Sequence, residues 1–322
     1  MILPPVEPVS PDCRVDFLLD KMSRTGFQGR KLGESVSVIK QMIMDPRVTI
    51  IVGLSGAMIP AGMQECLIEL LEHRFIDVLV STGANIFHDI CGHCGVNHYL
   101  GYHQADDQEL FKKGIDRIYD VFAYENEFRG VDSFIASYAA TITKFSGSSA
   151  EFIRLLGLHL LEMYPKERSV TGVAAKLGIP VFIPALTDSS IGIALVMARR
   201  NGISISIDQL ADADELTGYV ERAQSTGVIY IGGGVPKNFI QQTQVIASID
   251  NHGCGGHDYA VQFTTDTPQY GGLSGCTFDE AISWGKESCT CKKVQCFCDA
   301  TIALPFVTSA LLASGISRGH EV

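Results

Sequence analysis

The sequence predicts an α/β fold: a doubly wound, mostly parallel sheet in a single domain. Three observations predict it. Apolar runs of strand length alternate with segments of helical spacing along most of the chain. The 322 residues are 46% hydrophobic and 19% charged, the balance of a chain with a well-buried core. No internal repeat, low-complexity tract or long Pro/Ser-rich linker divides it.

In chain order, residues 1–30 read as an N-terminal arm that feeds a domain over residues 31–322. Candidate buried parallel strands are Val48 to Val52, Ile76 to Ser81, Ile118 to Ala123, Pro180 to Pro184, Ile203 to Ile207, Val228 to Ile231, Tyr259 to Phe263 and Val294 to Cys298. Helical spacing runs through Gly62 to His73, Val131 to Thr143, Ala150 to Met163, Asp208 to Ser225 and Asn238 to Ala247, and a last helix starts at Ala300.

Thirty-six acidic residues against 25 basic ones give a net charge of -11, which disfavours a phosphate-backbone partner and suits a cationic ligand. The Pro-rich start does not look like a signal peptide, and no run approaches the roughly 20 apolar residues that span a bilayer. A cytoplasmic protein with reduced thiols, and neither nucleic acid nor membrane as partner, is the expectation.

In an open parallel sheet the ligand sits beyond the carboxyl ends of the strands, so the turns that follow them are informative. They read Gly53-Leu54-Ser55-Gly56-Ala57, Ser81-Thr82-Gly83-Ala84-Asn85 and Gly232-Gly233-Gly234. Small residues let a bulky ligand approach the backbone, and the helix starts that follow offer free N–H groups to phosphate. None completes the Gly-x-Gly-x-x-Gly fingerprint, yet three such turns in one sheet point to a nucleotide.

The segment Phe278-Asp279-Glu280-Ala281-Ile282-Ser283-Trp284-Gly285-Lys286 sets the single Trp and two carboxylates just before a lysine. An aromatic wall desolvates an amine and favours its neutral, nucleophilic form, whereas carboxylates hold a cationic substrate. A solvated surface lysine is the plain alternative.

On these residues the chain resembles the deoxyhypusine synthase family. Glu280 to Lys286 matches the family's lysine motif. Gly26-Phe27-Gln28-Gly29-Arg30-Lys31-Leu32-Gly33, Pro184-Ala185-Leu186-Thr187-Asp188, Ile231 to Asn238 and Phe297-Cys298-Asp299-Ala300 match further motifs, in order, from about residue 15 to about residue 313. The resemblance implies a Rossmann-like homotetramer that uses NAD as cofactor and spermidine as substrate, at sites between paired subunits. It implies hydride removal to an imine, release of 1,3-diaminopropane, transfer of the aminobutyl group to Lys286 and then to an acceptor amine, and return of the hydride. The acceptor it implies is a lysine of the hypusine-bearing translation factor.

Carried over by position, NAD contacts fall at Gly56 and Ala57 in the run to Pro60, at Thr82, Gly83 and Ala84, and at Asp188, Gly233, Thr265, Asp266, Asp299 and Ala300. Lys286 is the covalent residue, Glu280 its carboxylate neighbour in catalysis and amine binding, and Trp284 the wall of the polyamine channel. Departures from the eukaryotic pattern fall on the amine side. Phe87 and His88 stand where two acids are expected, Ile193 replaces another, Asn238 stands at a histidine position, and Tyr270-Gly271-Gly272-Leu273 replaces an acidic cluster. Val235-Pro236-Lys237-Asn238 follows the archaeal and bacterial style. His88 is the candidate base. The losses keep two alternatives open: transfer to putrescine, as in homospermidine synthase-like relatives, and a noncatalytic NAD-binding subunit.

His88-Asp89-Ile90-Cys91-Gly92-His93-Cys94, with His98 and His103, carries zinc-compatible ligand types, and Cys289, Cys291, Cys296 and Cys298 form a second thiol group. Cys-x-Cys spacing suits standard zinc sites poorly and the first group holds one Cys-x-x-Cys pair, so the expectation is no metal.

Overall fold

A computed structural model describes residues 4–142, 144–249 and 255–318. Its strands are β1 (Val48–Leu54), β2 (Val78–Ser81), β3 (Tyr99–Leu100), β4 (Ile115–Ile118), β5 (Val121–Tyr124), β6 (Lys144–Gly147), β7 (Val181–Phe182), β8 (Ser204–Ile207), β9 (Ser225–Ile231), β10 (His257–Thr264) and β11 (Glu287–Phe297). Six form the largest sheet, in the order β11-β10-β9-β1-β2-β7. The α/β class and the mostly parallel sheet stand as the alternation predicted. By compactness the chain divides into two units. The first comprises the described residues of Met1–Ser55, Glu72–Leu79 and Asp214–Val322, the second Gly56–Leu71 and Val80–Ala213.

In the first unit, β1, β9, β10 and β11 are parallel neighbours, with Leu54 opposite Ile231, Ile231 opposite Phe263 and Thr264 opposite Phe297. Their side chains, among them Ile50, Val52, Val228, Val261 and Phe263, are buried on both faces, which is why these runs read as continuously apolar. Gly227 faces Met42 of the helix Phe27–Met44. Tyr230, three positions on and therefore on the opposite face, lies under Lys237 of the helix Gly234–Ile249. Strand order reverses between β1 and β9, so the carboxyl ends of this pair are the switch point where such sheets open a ligand crevice.

The second unit holds the helices Gly83–His93, Glu125–Thr141, Ser149–Met163, Val170–Leu177 and Ser190–Arg200. Two expected strands behave differently here. The run Ile118 to Ala123 is not one parallel strand: it contains the tip of an antiparallel hairpin in which Ile118 pairs with Val121 and Tyr119 takes a positive φ of 55°. Ile203 to Ile207 does form β8, but it pairs with β6 in a separate two-stranded sheet, in keeping with its Ser/Ile alternation. Thr143, the end of one expected helix, lies outside the described residues. Residues 1–30 contain the helix Val15–Met22 and the start of Phe27–Met44. Among the described residues no helix is long and apolar enough to cross a membrane.

Candidate functional site

The lysine motif folds as one helical turn followed by a stop. Thr277 caps the helix Phe278–Ser283 by accepting from the Glu280 N–H at 3.1 Å. Gly285, at φ 69°, reverses the chain, and the Lys286 N–H then donates to the Ala281 carbonyl. Lys286 is half-buried; its Nζ donates to Asn238 Oδ1 at 2.9 Å and lies 5.6 Å from the Trp284 ring centroid. The structure brings Asn238 and Trp284 to Lys286. Trp284 is 66% exposed and Glu280 is exposed, so within one chain the aromatic covers the amine from one side only.

Directly behind this open pair lies a sealed polar layer that the sequence reading did not assign. Lys237 precedes Asn238 and is fully buried; its Nζ donates to Gln262 Oε1 at 2.9 Å and to the Cys276 carbonyl at 2.7 Å, between the rings of Tyr230 and Phe278. Desolvation pushes this ammonium down to about 8. Glu287 follows Lys286 and is 1% exposed; its Oε1 accepts from Gln241 Nε2 at 2.9 Å, while its Oε2 has no partner among the described residues. Desolvation raises its carboxyl to about 8, so it is largely protonated at neutral pH. His257, fully buried, accepts or donates at Nδ1 with Thr226 Oγ1 at 2.9 Å, and burial lowers it to about 3. The available signal was spacing: Lys237, Gln241 and Gln244 recur at i, i+4 and i+7, which puts three polar side chains on one helix face, and all are buried.

At the strand ends of the first unit Thr265, Asp266 and Asp299 are exposed, whereas Ser55 and Gly233 are buried. Ser55 follows β1, donates its N–H to the Ile231 carbonyl at 2.9 Å and its hydroxyl to the Gly233 carbonyl. The Gly232–Gly234 turn needs glycine: Gly232 and Gly234 take φ of 78° and 56°, and a Cβ on Gly233 would strike Ser274. Thr265 and Asp266, just past β10, are exposed. Asp299, also exposed, caps the helix Ala300–Ala313 by accepting from the Thr301 N–H at 2.7 Å. The two exposed carboxylates suit a dinucleotide's ribose hydroxyls, while the glycine turn is covered by Ser274, whose hydroxyl accepts from the Gly234 N–H at 3.0 Å.

The second unit holds the other predicted residues. Exposed Gly56 and half-buried Ala57 lie in a turn whose Gly56 carbonyl accepts from Asn85 Nδ2 at 2.8 Å. Thr82 caps the helix Gly83–His93, Gly83 abuts Ser189, and Ala84 and Asp188 are exposed. His88 Nδ1 and His98 Nε2 lie 2.9 Å apart against Phe128. Desolvation, then the His98 charge, lowers His88 to about 4, so the imidazole is neutral at pH 7.

Of the remaining His/Cys candidates, His93 is engaged by Ser169 Oγ and the Leu160 carbonyl, while Asp89 binds the start of the helix Val170–Leu177. Cys296 and Cys298 have their sulfurs 3.4 Å apart.

Comparisons agree on one relationship. The deoxyhypusine synthase family model matches residues 17–311. A Methanosarcina mazei protein named "Probable deoxyhypusine synthase 2" is 55% identical over 93% of this chain and 87% of its own length. Archaeoglobus fulgidus has two relatives: one named "Probable deoxyhypusine synthase 2", 51% identical over 92% of this chain and 97% of its own, and one named "Probable deoxyhypusine synthase 1", 39% identical over 93% and 94%. The solved structure described as that of "a putative deoxyhypusine synthase from Entamoeba histolytica" superposes with a TM-score of 0.66 at 19% identity, covering 94% of this chain and 95% of that one, a likeness of fold.

Proposed function

This chain belongs to the deoxyhypusine synthase family, whose known reaction is aminobutyl transfer, and on that premise we propose that it moves the 4-aminobutyl group of spermidine through Lys286 to an acceptor amine, a lysine of the hypusine-bearing translation factor. The observation that carries this reading is the Lys286 amine, oriented by Asn238 under one aromatic face and presented by a reversed chain. The family uses NAD, which when bound takes up the hydride that leaves spermidine and gives it back at the end.

Gly56, Ala57, Thr82, Gly83, Ala84, Asp188, Gly233, Thr265, Asp266, Asp299 and Ala300 are the residues proposed to hold that cofactor. Lys286 attacks the imine carbon of the oxidised substrate through its neutral amine: a C–N bond forms, the bond to 1,3-diaminopropane breaks, and that diamine leaves with the proton. The acceptor amine then repeats the exchange and frees Lys286. Asn238 holds the lysine nitrogen by hydrogen bonding. Trp284 faces the cationic polyamine with its π surface, and Glu280 pairs with one of its ammonium groups. His88 is the proposed proton acceptor, its neutral imidazole held by His98. A homotetramer is the proposed assembly.

The test incubates the protein with NAD and spermidine, reduces with borohydride and reads the mass of the Lys286 peptide. An aminobutyl adduct on Lys286 is expected, absent in Lys286→Arg. A wild-type protein that binds NAD and never gains that mass overturns the assignment and favours the noncatalytic subunit. One observation favours a second acceptor: Phe87, His88, Ile193 and Asn238 alter the amine side, and Archaeoglobus fulgidus carries two relatives of unequal similarity. Product analysis with putrescine and with the translation factor offered together separates homospermidine from modified protein.

A further inference from the structure

Three features lie outside the mechanism above: the Cys296–Cys298 pair, the exposed aromatic residues of the β3-β5-β4 sheet, and the sealed layer beneath Lys286. The third carries furthest, because two of its members are chain neighbours of the reacting pair. Lys286 and Asn238 meet at 2.9 Å on the open side, and the residue after the first, Glu287, and the residue before the second, Lys237, are both buried behind them. A buried amine and a buried carboxyl thus adjoin the reacting pair in the chain, and each feels the Lys286 charge.

We infer that Glu287 is a positioning residue that sets the charge felt by Lys286: protonated, it adds no charge behind the reactive amine, and ionised, it places a negative charge there that favours the Lys286 ammonium. A neighbouring cation that water cannot screen disfavours a second cation, which is how a lysine is kept neutral for nucleophilic attack. A carboxylate in the same layer would undo this.

The geometry keeps Glu287 in its neutral form. Among the described residues a single donor, Gln241 Nε2, reaches its Oε1, and the buried Oε2 has no partner, an arrangement costly for a carboxylate and tolerable for a carboxylic acid. By contrast Lys237 has two oxygen acceptors at 2.9 and 2.7 Å, an arrangement that suits an ammonium.

The other titratable groups facing this layer do not replace Glu287 as the switch. On β9, Tyr230 is driven well above the ordinary phenol value by burial, then by Glu287, so it stays neutral; at the start of β10, His257 is neutral down to about pH 3. On β11, burial pushes the Cys291 thiol up to about 12, and Lys293 is paired with Asp279 on the helix Phe278–Ser283. Beside Lys237, burial raises Cys276, and Glu280 is exposed. Glu287 and Lys237, each brought to about 8, are left to change charge near physiological pH.

The inference rests on Lys286 being the reacting amine, so its test reads that amine without spermidine. The full chain is labelled with trace acetic anhydride between pH 6 and 9.5, and modification of Lys286 is followed by mass spectrometry against an exposed lysine. Glu287→Gln fixes the neutral form. Its Lys286 is expected to label at the wild-type rate at pH 6.5 and about three- to tenfold faster near pH 9, where the wild-type carboxylate has formed.

Lys237→Met removes the buried cation and is expected to slow labelling by a similar factor at pH 7, an independent reading should the first variant not fold. Superimposable profiles for wild type and whichever variants retain the wild-type melting temperature overturn the inference. Failure of the aminobutyl transfer itself shows separately, as shifted labelling profiles without any borohydride-trapped adduct.

Discussion

Both units bury carboxyl groups, and Asp89 and Glu287, one from each, are housed in opposite ways. Asp89, in the second unit, is fully buried and richly met: Oδ1 accepts from Gln64 Nε2 and the Val170 N–H at 2.7 and 2.8 Å, and Oδ2 from the Thr171 N–H and hydroxyl at 2.7 Å each. Two of these donors are the first free N–H groups of the helix Val170–Leu177, so Asp89 acts as a cap supplied from a distant part of the chain. Burial pushes its carboxyl up while the four donors pull it down. Glu287, equally deep in the first unit, has one donor and, among the described residues, one orphaned oxygen; burial raises both carboxyls, and that of Glu287 reaches about 8. Depth alone therefore does not mark a functional carboxyl. The number of donors does: a carboxylate that is fully met holds the fold together, whereas one left short of donors beside a reactive amine is able to change its charge.

The largest expected effect breaks the Asp89 side of this comparison. Asp89→Ala strands the donors of Val170, Thr171 and Gln64 in the interior, and a loss of about 3–5 kcal/mol is expected in urea unfolding. Asp89→Asn, which retains two acceptor lone pairs, is expected to lose less. If both variants unfold at the wild-type midpoint, the four hydrogen bonds are not what the carboxyl contributes.

The pH dependence of stability sharpens the other side. Folded Glu287 releases its proton at about 8, against 4.5 for an ordinary glutamate, so between those values the folded chain holds a proton that the unfolded chain has lost. Its stabilising contribution is complete below 4.5 and falls as pH rises to 8, by up to about 1.4 kcal/mol per pH unit. His257, lowered from 6.5 to about 3, acts in the opposite sense, since its contribution is present above 6.5 and is lost as pH falls to 3. The two oppose each other between 4.5 and 6.5, and above 6.5 Glu287 acts alone. Lys237, lowered from 10.5 to about 8, then adds stability as pH rises from 8. Glu287→Gln is expected to flatten the decline between pH 6.5 and 8, a relative gain of up to about 2 kcal/mol at pH 8. Urea midpoints for both proteins at the two pH values check this; parallel declines would show that the carboxyl is ionised already at pH 6.5.

How much of this was legible in the chain depended on the range of the contacts involved. The sheet followed from local alternation, and β1, β9, β10 and β11 appear where the apolar runs lay. The proposed reactive group stood out because Trp284, Gly285 and Lys286 are contiguous. The hairpin was misread because Tyr119-Asp120, the two residues that turn it, sit inside an otherwise apolar run, where a single positive φ decides the outcome. The sealed layer was illegible for a different reason. Lys237 finds its acceptors 25 and 39 positions away at Gln262 and Cys276, and Glu287 finds its donor 46 positions back at Gln241. Only the register of β9, β10 and β11 brings them under Lys286, so a lysine that the sequence shows as one more polar residue becomes the most deeply buried cation of the first unit's site.

The smallest expected effect concerns the exposed side of the same lysine and bears on the proposed assembly. Trp284 is 66% exposed in one chain, with its ring 5.6 Å from Lys286 Nζ. Cation–π attraction at an exposed ring is worth about 0.5–1 kcal/mol, so Trp284→Ala acting within one chain should lower the rate of adduct formation with spermidine by about two- to fivefold. An aromatic wall that also excludes water contributes more, since burying a ring this large removes on the order of 150–250 Å² from solvent. A hundredfold loss would therefore show that Trp284 is covered in the active assembly. The proposed assembly would supply that cover from a second copy, as the described residues of one chain leave the ring open. Measuring the loss at protein concentrations above and below the dissociation of the oligomer separates these cases: a small, concentration-independent loss places the whole contribution of Trp284 within a single subunit.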